Sequence, residues 1–260
     1  MALNNKFILL ASIFILGGAL VSLATARYTL PEAAVRLRHE QWMTRYGRVY
    51  NSPSEKETRY QIFKNNVAFI DSSNADGNKS YKLGVNQFAD LTNDEFKASR
   101  NGFKGHMCSP QHGPFRYENV SAVPTTMDWR KKGAVTPIKD QGQCGSCWAF
   151  SAVGAMEGIH QLSTGKLVSL SEQELVDCDT KGDDQGCSGG LMDDAFKFII
   201  QNKGLTTETN YPYDAADGTC NANKEGSSAA KITGYEDVPA NNEAALMKAV
   251  ASQPISVAID

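Results

Sequence analysis

Histidine is scarce in this 260-residue chain, with only His39, His106, His112 and His160. The small net charge of −3 hides an asymmetry. Between Arg27 and Ala122, 14 Lys/Arg stand against 10 Asp/Glu, a net +4; between Val123 and Asp260, 11 stand against 19, a net −8. Opposite signs let the two stretches attract each other. The lack of a basic cluster excludes nucleic acid as a partner. Beyond Leu23 no apolar run is long enough to span a bilayer, which excludes a membrane segment there. Cysteine is sparse but even in number: Cys108, Cys144, Cys147, Cys178, Cys187 and Cys220.

What is present starts with a leader. Lys6 precedes an apolar run from Phe7 to Leu23, followed by the small residues Ala24-Thr25-Ala26. That pattern predicts a secretory signal peptide over residues 1–26, with no membrane attachment once it is removed. Export makes the cysteines disulfide candidates and demotes a zinc site.

The rest of the chain is organised around Gln141-Gly142-Gln143-Cys144-Gly145-Ser146-Cys147-Trp148-Ala149-Phe150-Ser151. Its right half continues through Ala152, Val153, Ala155, Met156 and Ile159 as a helix with small or apolar residues on every side, the mark of a buried helix. Its left half is a polar, glycine-bearing turn. Cys147 therefore falls in the first helical turn, where unpaired N–H groups and the macrodipole favour an anion. A thiol placed there ionises more easily, and the thiolate is the nucleophile. Gln141, six residues upstream, could aim its amide at a developing oxyanion. Three other readings stay open on local chemistry: a disulfide cysteine, a Cys144/Cys147 redox pair, or zinc held by Cys144, Cys147, Cys178 and Cys187. The redox pair is disfavoured, because the residues ahead of it, Ala134 to Asp140, contain Pro137 and end polar rather than forming an apolar strand.

Upstream, Pro31 to Gly47 predicts a helix stopped by glycine. A second helix begins at the N-cap Ser52, with Pro53 first and Glu55 completing a capping box, and runs to Asn74. Along it Glu55, Arg59, Phe63, Asn66, Ile70 and Asn74 share one stripe, Glu55 and Arg59 as an i,i+4 pair. Gly84-Val85-Asn86-Gln87-Phe88-Ala89-Asp90 follows on a predicted strand and turn, then a short helix from Leu91 to Ala98. Gly105 to Pro114 is polar and turn-rich, a linker open to proteolysis. Asn78 and Asn119 head glycosylation sequons. Downstream, Ser171 and Glu174 form a capping box for a short helix, and Asp183 to Gly186 a turn. Gly189-Gly190 precedes a helix from Leu191 to Asn202, residues 231–235 and 255–259 predict strands, and Asn242 caps a helix through Val250.

The Cys-Gly-Ser-Cys-Trp run resembles the active-site signature of papain-like cysteine proteases. The six-residue stripe is similar to the ERFNIN pattern of their pro-segments, and Gly84, Asn86, Phe88 and Asp90 match the accompanying GxNxFxD element. The resemblance implies an α+β, papain-like fold with a mostly helical pro-segment, a helical first domain and a β-barrel-like second domain present only in part. It implies a pro-segment over 27–122 that threads the cleft backwards as an intramolecular inhibitor, with Phe103 plugging a specificity pocket. Cleavage is expected near Ala122–Val123, and the peptidase domain spans 123–260. Cys147 would be the nucleophile and Gln141 the oxyanion donor. Gly189 and Gly190 would bond an extended substrate. Leu191, Met192 and Ala258 would line an apolar pocket for the second residue on the acyl side. Disulfides Cys144–Cys187 and Cys178–Cys220 are implied, leaving Cys147 free and Cys108 over. Peptides and proteins would be the substrates, with no cofactor, no metal and a monomeric state. The destination would be a lysosome or vacuole, or the outside of the cell. A pro-segment acting as an inhibitory binding protein is the second reading.

Such enzymes place their partner His and Asn some 130–150 residues after the cysteine, whereas Asp260 stands 113 after Cys147. His160 lies thirteen residues along the same helix, about 20 Å away, and cannot substitute. The expectation for these 260 residues alone is negligible turnover.

Overall fold

The computed structural model describes residues 31–77, 79–101 and 115–259. The expected signal peptide and the assignments at Asn78, Phe103, His106, Cys108 and His112 lie outside them. The chain divides into two compact units, Met1–Asn93 and Asp94–Asp260.

In the first unit, α1 (Glu32–Tyr46) ends on Gly47 in the left-handed conformation, as the glycine stop predicts. Helix α2 (Pro53–Ala75) opens on Ser52, whose hydroxyl accepts from the Glu55 N–H at 3.1 Å. The Glu55 carboxylate reaches back to the Asn51 N–H at 2.8 Å. Trp42, Phe63, Val67 and Ala89 form the core. His39 is buried among Trp42, Tyr50, Tyr60 and Phe63. Phe63 is wholly buried and belongs to the predicted stripe.

The polar members of that stripe are not a solvated flank. Asn66 donates to the carbonyls of Ala89 and Leu91, both at 2.9 Å. Asn74 brackets Leu83, donating to its carbonyl and accepting from its N–H, both at 2.7 Å. Arg59 donates to the Asp90 carbonyl at 3.1 Å. The stripe thus holds the backbone of residues 83–91. From the other side Trp42 donates to the Asn86 carbonyl at 2.8 Å and Arg48 to that of Gln87 at 2.7 Å. Asp90 is buried and accepts from Tyr50 at 2.9 Å. Phe63→Ala should destabilise this unit by about 3–5 kcal/mol. Hydrogen exchange across residues 53–91 should collapse accordingly.

Helix α3 spans Asn93–Arg100 rather than 91–98. The Leu91 carbonyl is already taken by Asn66, which keeps that residue out of a first turn. In the second unit, α4 (Cys147–Thr164) ends on left-handed Gly165 and packs against α5 (Glu172–Cys178) and α6 (Met192–Gln201). The core is Trp148, Ala149, Ala152, Val153, Met156, Leu170, Leu175, Ile199 and their neighbours. Helix α4 is not buried all round, since Leu162 is 40% exposed and Phe150, Ala155 and Ile159 are half-buried. The short helix α7 (Ala222–Glu225) follows, then α8 (Glu243–Ser252), capped as predicted by Asn242 accepting from the Ala245 N–H.

The expected partial β-barrel is not confirmed: no strand forms among the described residues. Only two isolated bridges occur, Leu170 with Thr207 and Leu205 with Ala230. A strand needs a ladder partner, and nothing pairs along the expected strands within 84–90, 231–235 and 255–259. Instead the Ser151 hydroxyl takes the Val257 N–H at 3.1 Å and donates to its carbonyl at 2.9 Å. The Ser171 box is half formed: the hydroxyl accepts from the Glu174 N–H, but the Glu174 carboxylate turns to the Thr206 N–H and Asn202.

Candidate active site

Cys147 is the first residue of α4, half-buried, and no side chain caps that helix end. It is the free cysteine among the described residues. Cys144 pairs with Cys187 and Cys178 with Cys220, across separations of 43 and 42 residues. These pairings remove the Cys144/Cys147 redox reading. They also remove the zinc reading, because three of its four thiols are consumed. Each bridge is worth about 4 kcal/mol in the chain-entropy account. The first also ties the turn ahead of Cys147 to the loop 186–190, and the Gly145 N–H donates to the Cys187 carbonyl at 2.9 Å.

The turn itself is held from three directions. Lys139 is clamped by Glu157 at 2.9 Å and Glu172 at 2.6 Å, and donates to the Leu170 carbonyl at 3.2 Å. The Tyr213 hydroxyl donates to the Gln141 carbonyl at 2.8 Å and lies 2.7 Å from the Ser146 hydroxyl, with Phe150 edge-on to its ring. Arg100, at the end of α3, pairs with Asp140 at 3.7 Å and donates to the Gly142 carbonyl. The Gln141 side-chain amide donates to the Arg100 carbonyl at 3.1 Å and to the Cys144 carbonyl at 2.8 Å. A peptide carbonyl therefore already rests on the predicted oxyanion donor. Arg100 and Tyr213 were missed in the sequence, where neither carries a local signature for contacts made 41 and 72 residues away.

Gly189 and Gly190 are buried, and Leu191 is extended rather than helical, so α6 begins one residue later than predicted. Its N–H donates to the Asp184 carboxylate at 2.7 Å, which holds it out of the helix. Leu191, Met192 and Ala258 come together on the wall of one cavity of about 1,370 Å³, with Ile159 and Phe196. Gly189 and Gly190 do not line it. His160 does, thirteen residues along α4 from Cys147. Asn119 is exposed, as an accessible sequon requires, and Ser121 to Thr126 form an exposed, irregular stretch.

Burial pushes the Glu172 carboxyl up to about 7, against the pull of Lys139, and the Glu174 carboxyl likewise to about 7. A folded-state value above the ordinary 4.5 means the folded chain keeps protons that the unfolded chain releases. Stability in this unit should therefore be highest near pH 4.5 and fall as pH rises through 7, by a few kcal/mol in total. In the first unit burial lowers His39, so protonation below about 6.5 opposes folding there. Thermal unfolding at pH 7.5 and pH 5 should show the two transitions moving oppositely on acidification, the second unit's upward by about 5–10 °C. Parallel shifts would contradict the assignment.

Residues 123–260 match the papain family cysteine protease domain, and residues 39–96 match the cathepsin propeptide inhibitor domain. The senescence-specific cysteine protease SAG39 of Oryza sativa subsp. indica is 67% identical over 239 residues, 90% of this chain and 69% of that protein. SAG12 of Arabidopsis thaliana is 57% identical over 88% of this chain and 68% of that protein. Among solved structures, a recombinant stem bromelain precursor superposes with a TM-score of 0.74 at 45% identity, covering 85% of this chain and 70% of that one. The proform of the ragweed pollen allergen Amb a 11 gives 0.76 at 42% identity, over 86% and 69%. A match to the peptidase domain as well as the inhibitor domain favours a protease over a stand-alone inhibitor. The chain belongs to the papain family of cysteine proteases, as a precursor that carries its propeptide inhibitor domain on the same polypeptide.

Proposed function

We propose that Cys147 attacks a peptide carbonyl to form an acyl-enzyme, with the Gln141 amide and the Cys147 N–H holding the oxyanion. The single observation that carries this reading is the Arg100 carbonyl 3.1 Å from the Gln141 amide nitrogen. A donor that already binds a main-chain carbonyl is placed to bind a substrate's, and such donors stabilise the charge that develops on attack. In this reading Gly189 and Gly190 bond an extended substrate. Leu191, Met192 and Ala258 accept an apolar residue, with Met192 deformable enough for a broad choice. Residues 27–122 are the pro-segment, and their last part belongs to the second compact unit. Its Tyr117 donates to Gln253 at 2.5 Å, and the Glu118 carbonyl accepts from Lys248 at 2.7 Å. Cleavage falls in the exposed stretch around Ala122–Val123, and the monomeric product works in a vacuole, a lysosome or outside the cell.

The test uses two small probes on the 260-residue chain. A nitrophenyl ester acylates the thiolate through an oxyanion and needs no acid for its leaving group, whereas iodoacetamide alkylates without forming one. Gln141→Ala should slow acylation at Cys147 by about 100-fold and leave alkylation within about twofold. Equal losses with both probes would count against the oxyanion role.

A further inference from the structure

The loop that carries Gly189 and Gly190 rests on a buried pair of acids. Asp179 and Asp184 are 3% and 1% exposed. One Asp184 oxygen accepts the Leu191 N–H at 2.7 Å. The other, like the Oδ2 of Asp179, receives no N–H or hydroxyl, and the two buried carboxyls act on each other electrostatically. Two carboxyls buried together without other donors favour holding one proton and one charge over two charges. Gly190 is wedged between this pair and an aromatic ring: a β-carbon there would lie 2.3 Å from Asp184 Oδ1 and 2.7 Å from the Trp148 indole. The Gln185 N–H donates to the Gly189 carbonyl at 2.9 Å, closing the loop on its other side.

We propose that Asp184, joined to Asp179 by one shared proton, is a positioning residue that sets the Gly189–Leu191 backbone for an extended peptide substrate. This rests on the reading, given above, that these glycines bind substrate. While the proton is present the pair carries a single negative charge and holds Leu191 out of α6. Once it is lost to base, two anions face each other inside the protein, and the loop moves to separate them. Burial raises both carboxyls above their ordinary range, and Asp184 adds to the rise at Asp179. The other charges nearby are acidic or neutralised. Asp183 and Asp194 oppose ionisation, Asp194 being paired with Lys197 at 2.7 Å, and the Lys181 N–H donates to Asp179. The Trp148 side is uncharged, with its indole N–H on the Gly186 carbonyl at 3.1 Å.

Asp184→Asn keeps an acceptor for Leu191 and adds a donor for Asp179, which imitates the shared-proton state at every pH. Asp184→Ala removes both. Four chains are compared: the unaltered one, Asp184→Asn, Asp184→Ala and Asp179→Asn. Two readouts are taken between pH 6 and pH 9.5. One is amide exchange at Gly190 and Leu191. The other is the rate of Cys147 capture by a dipeptidyl chloromethyl ketone with leucine as its second residue, divided by the rate with chloroacetone. The two probes share one electrophile, so the ratio isolates peptide recognition.

In the unaltered chain both the ratio and the Leu191 protection should fall at least about fivefold toward pH 9.5. Both asparagine variants should keep them flat and high, and Asp184→Ala should lower them about tenfold already at pH 6. An asparagine variant with the same pH profile as the unaltered chain would overturn the proposal, even if the alanine variant failed to fold. Protection lost without a change in the ratio would overturn it through its substrate reading. Protection kept in Asp184→Ala would overturn it through the carboxyl pair.

Discussion

Cys147→Ser removes capture of peptidyl electrophiles at position 147, with a loss of at least about a thousandfold. A serine hydroxyl is a far weaker nucleophile than a thiol toward such electrophiles. Among the described residues Cys147 alone is unpaired, the other four cysteines being consumed in two bridges. Peptide mapping after labelling at pH 7 checks the result residue by residue and keeps Cys108 out of the count. The substitution is nearly isosteric, so the melting temperature should hold within about 2 °C. Undiminished capture in the serine variant would mean that another group is the nucleophile. A bridge found between Cys144 and Cys147 would revive the oxidoreductase reading.

Gly190→Ala should strongly destabilise the second unit. Its β-carbon would stand 2.3 Å from Asp184 Oδ1 and 2.7 Å from the Trp148 ring. Neither neighbour has room to retreat, since Trp148 and Asp184 are 0% and 1% exposed. Overpacking of this kind costs about 3 kcal/mol or more, equivalent to a melting temperature about 10 °C lower. Peptidyl capture should weaken further than stability alone explains, because the displaced loop carries the backbone proposed to meet substrate. The control is Gly154→Ala, in α4, where an added β-carbon meets nothing within 4 Å. That change should stabilise by about 0.5–1 kcal/mol through helix propensity. Destabilisation of similar size in both variants would remove the packing argument.

Helix positions were legible because their signals are local. Ser52, Asn242, Gly47 and Gly165 each act within one turn of a helix end, and each behaves as its type predicts. The expected strands failed for the opposite reason. Residues 231–235 and 255–259 have strand-like composition, but a ladder depends on a partner supplied from elsewhere, and Ser151 takes the Val257 backbone instead. Glu174 shows the same competition at a single side chain: a capping box asks it to turn back, while the Thr206 N–H, left buried by the fold, needs an acceptor.

The sequence by itself determined where Cys147 falls in the chain, roughly where the longer helices lie, and which six side chains share the α2 stripe. All of these follow from spacing within a few residues. Only the tertiary structure decided that the stripe grips the backbone of residues 83–91, that Cys144 closes on Cys187, that Gln141 already holds the Arg100 carbonyl, and that Tyr213 and Asp184 brace the two halves of the site. Those partners are separated along the chain by seven to seventy-two residues of irregular path. Hydrogen-bond donors and acceptors carry no record of which distant group will face them, so the choice is made when the core brings them together.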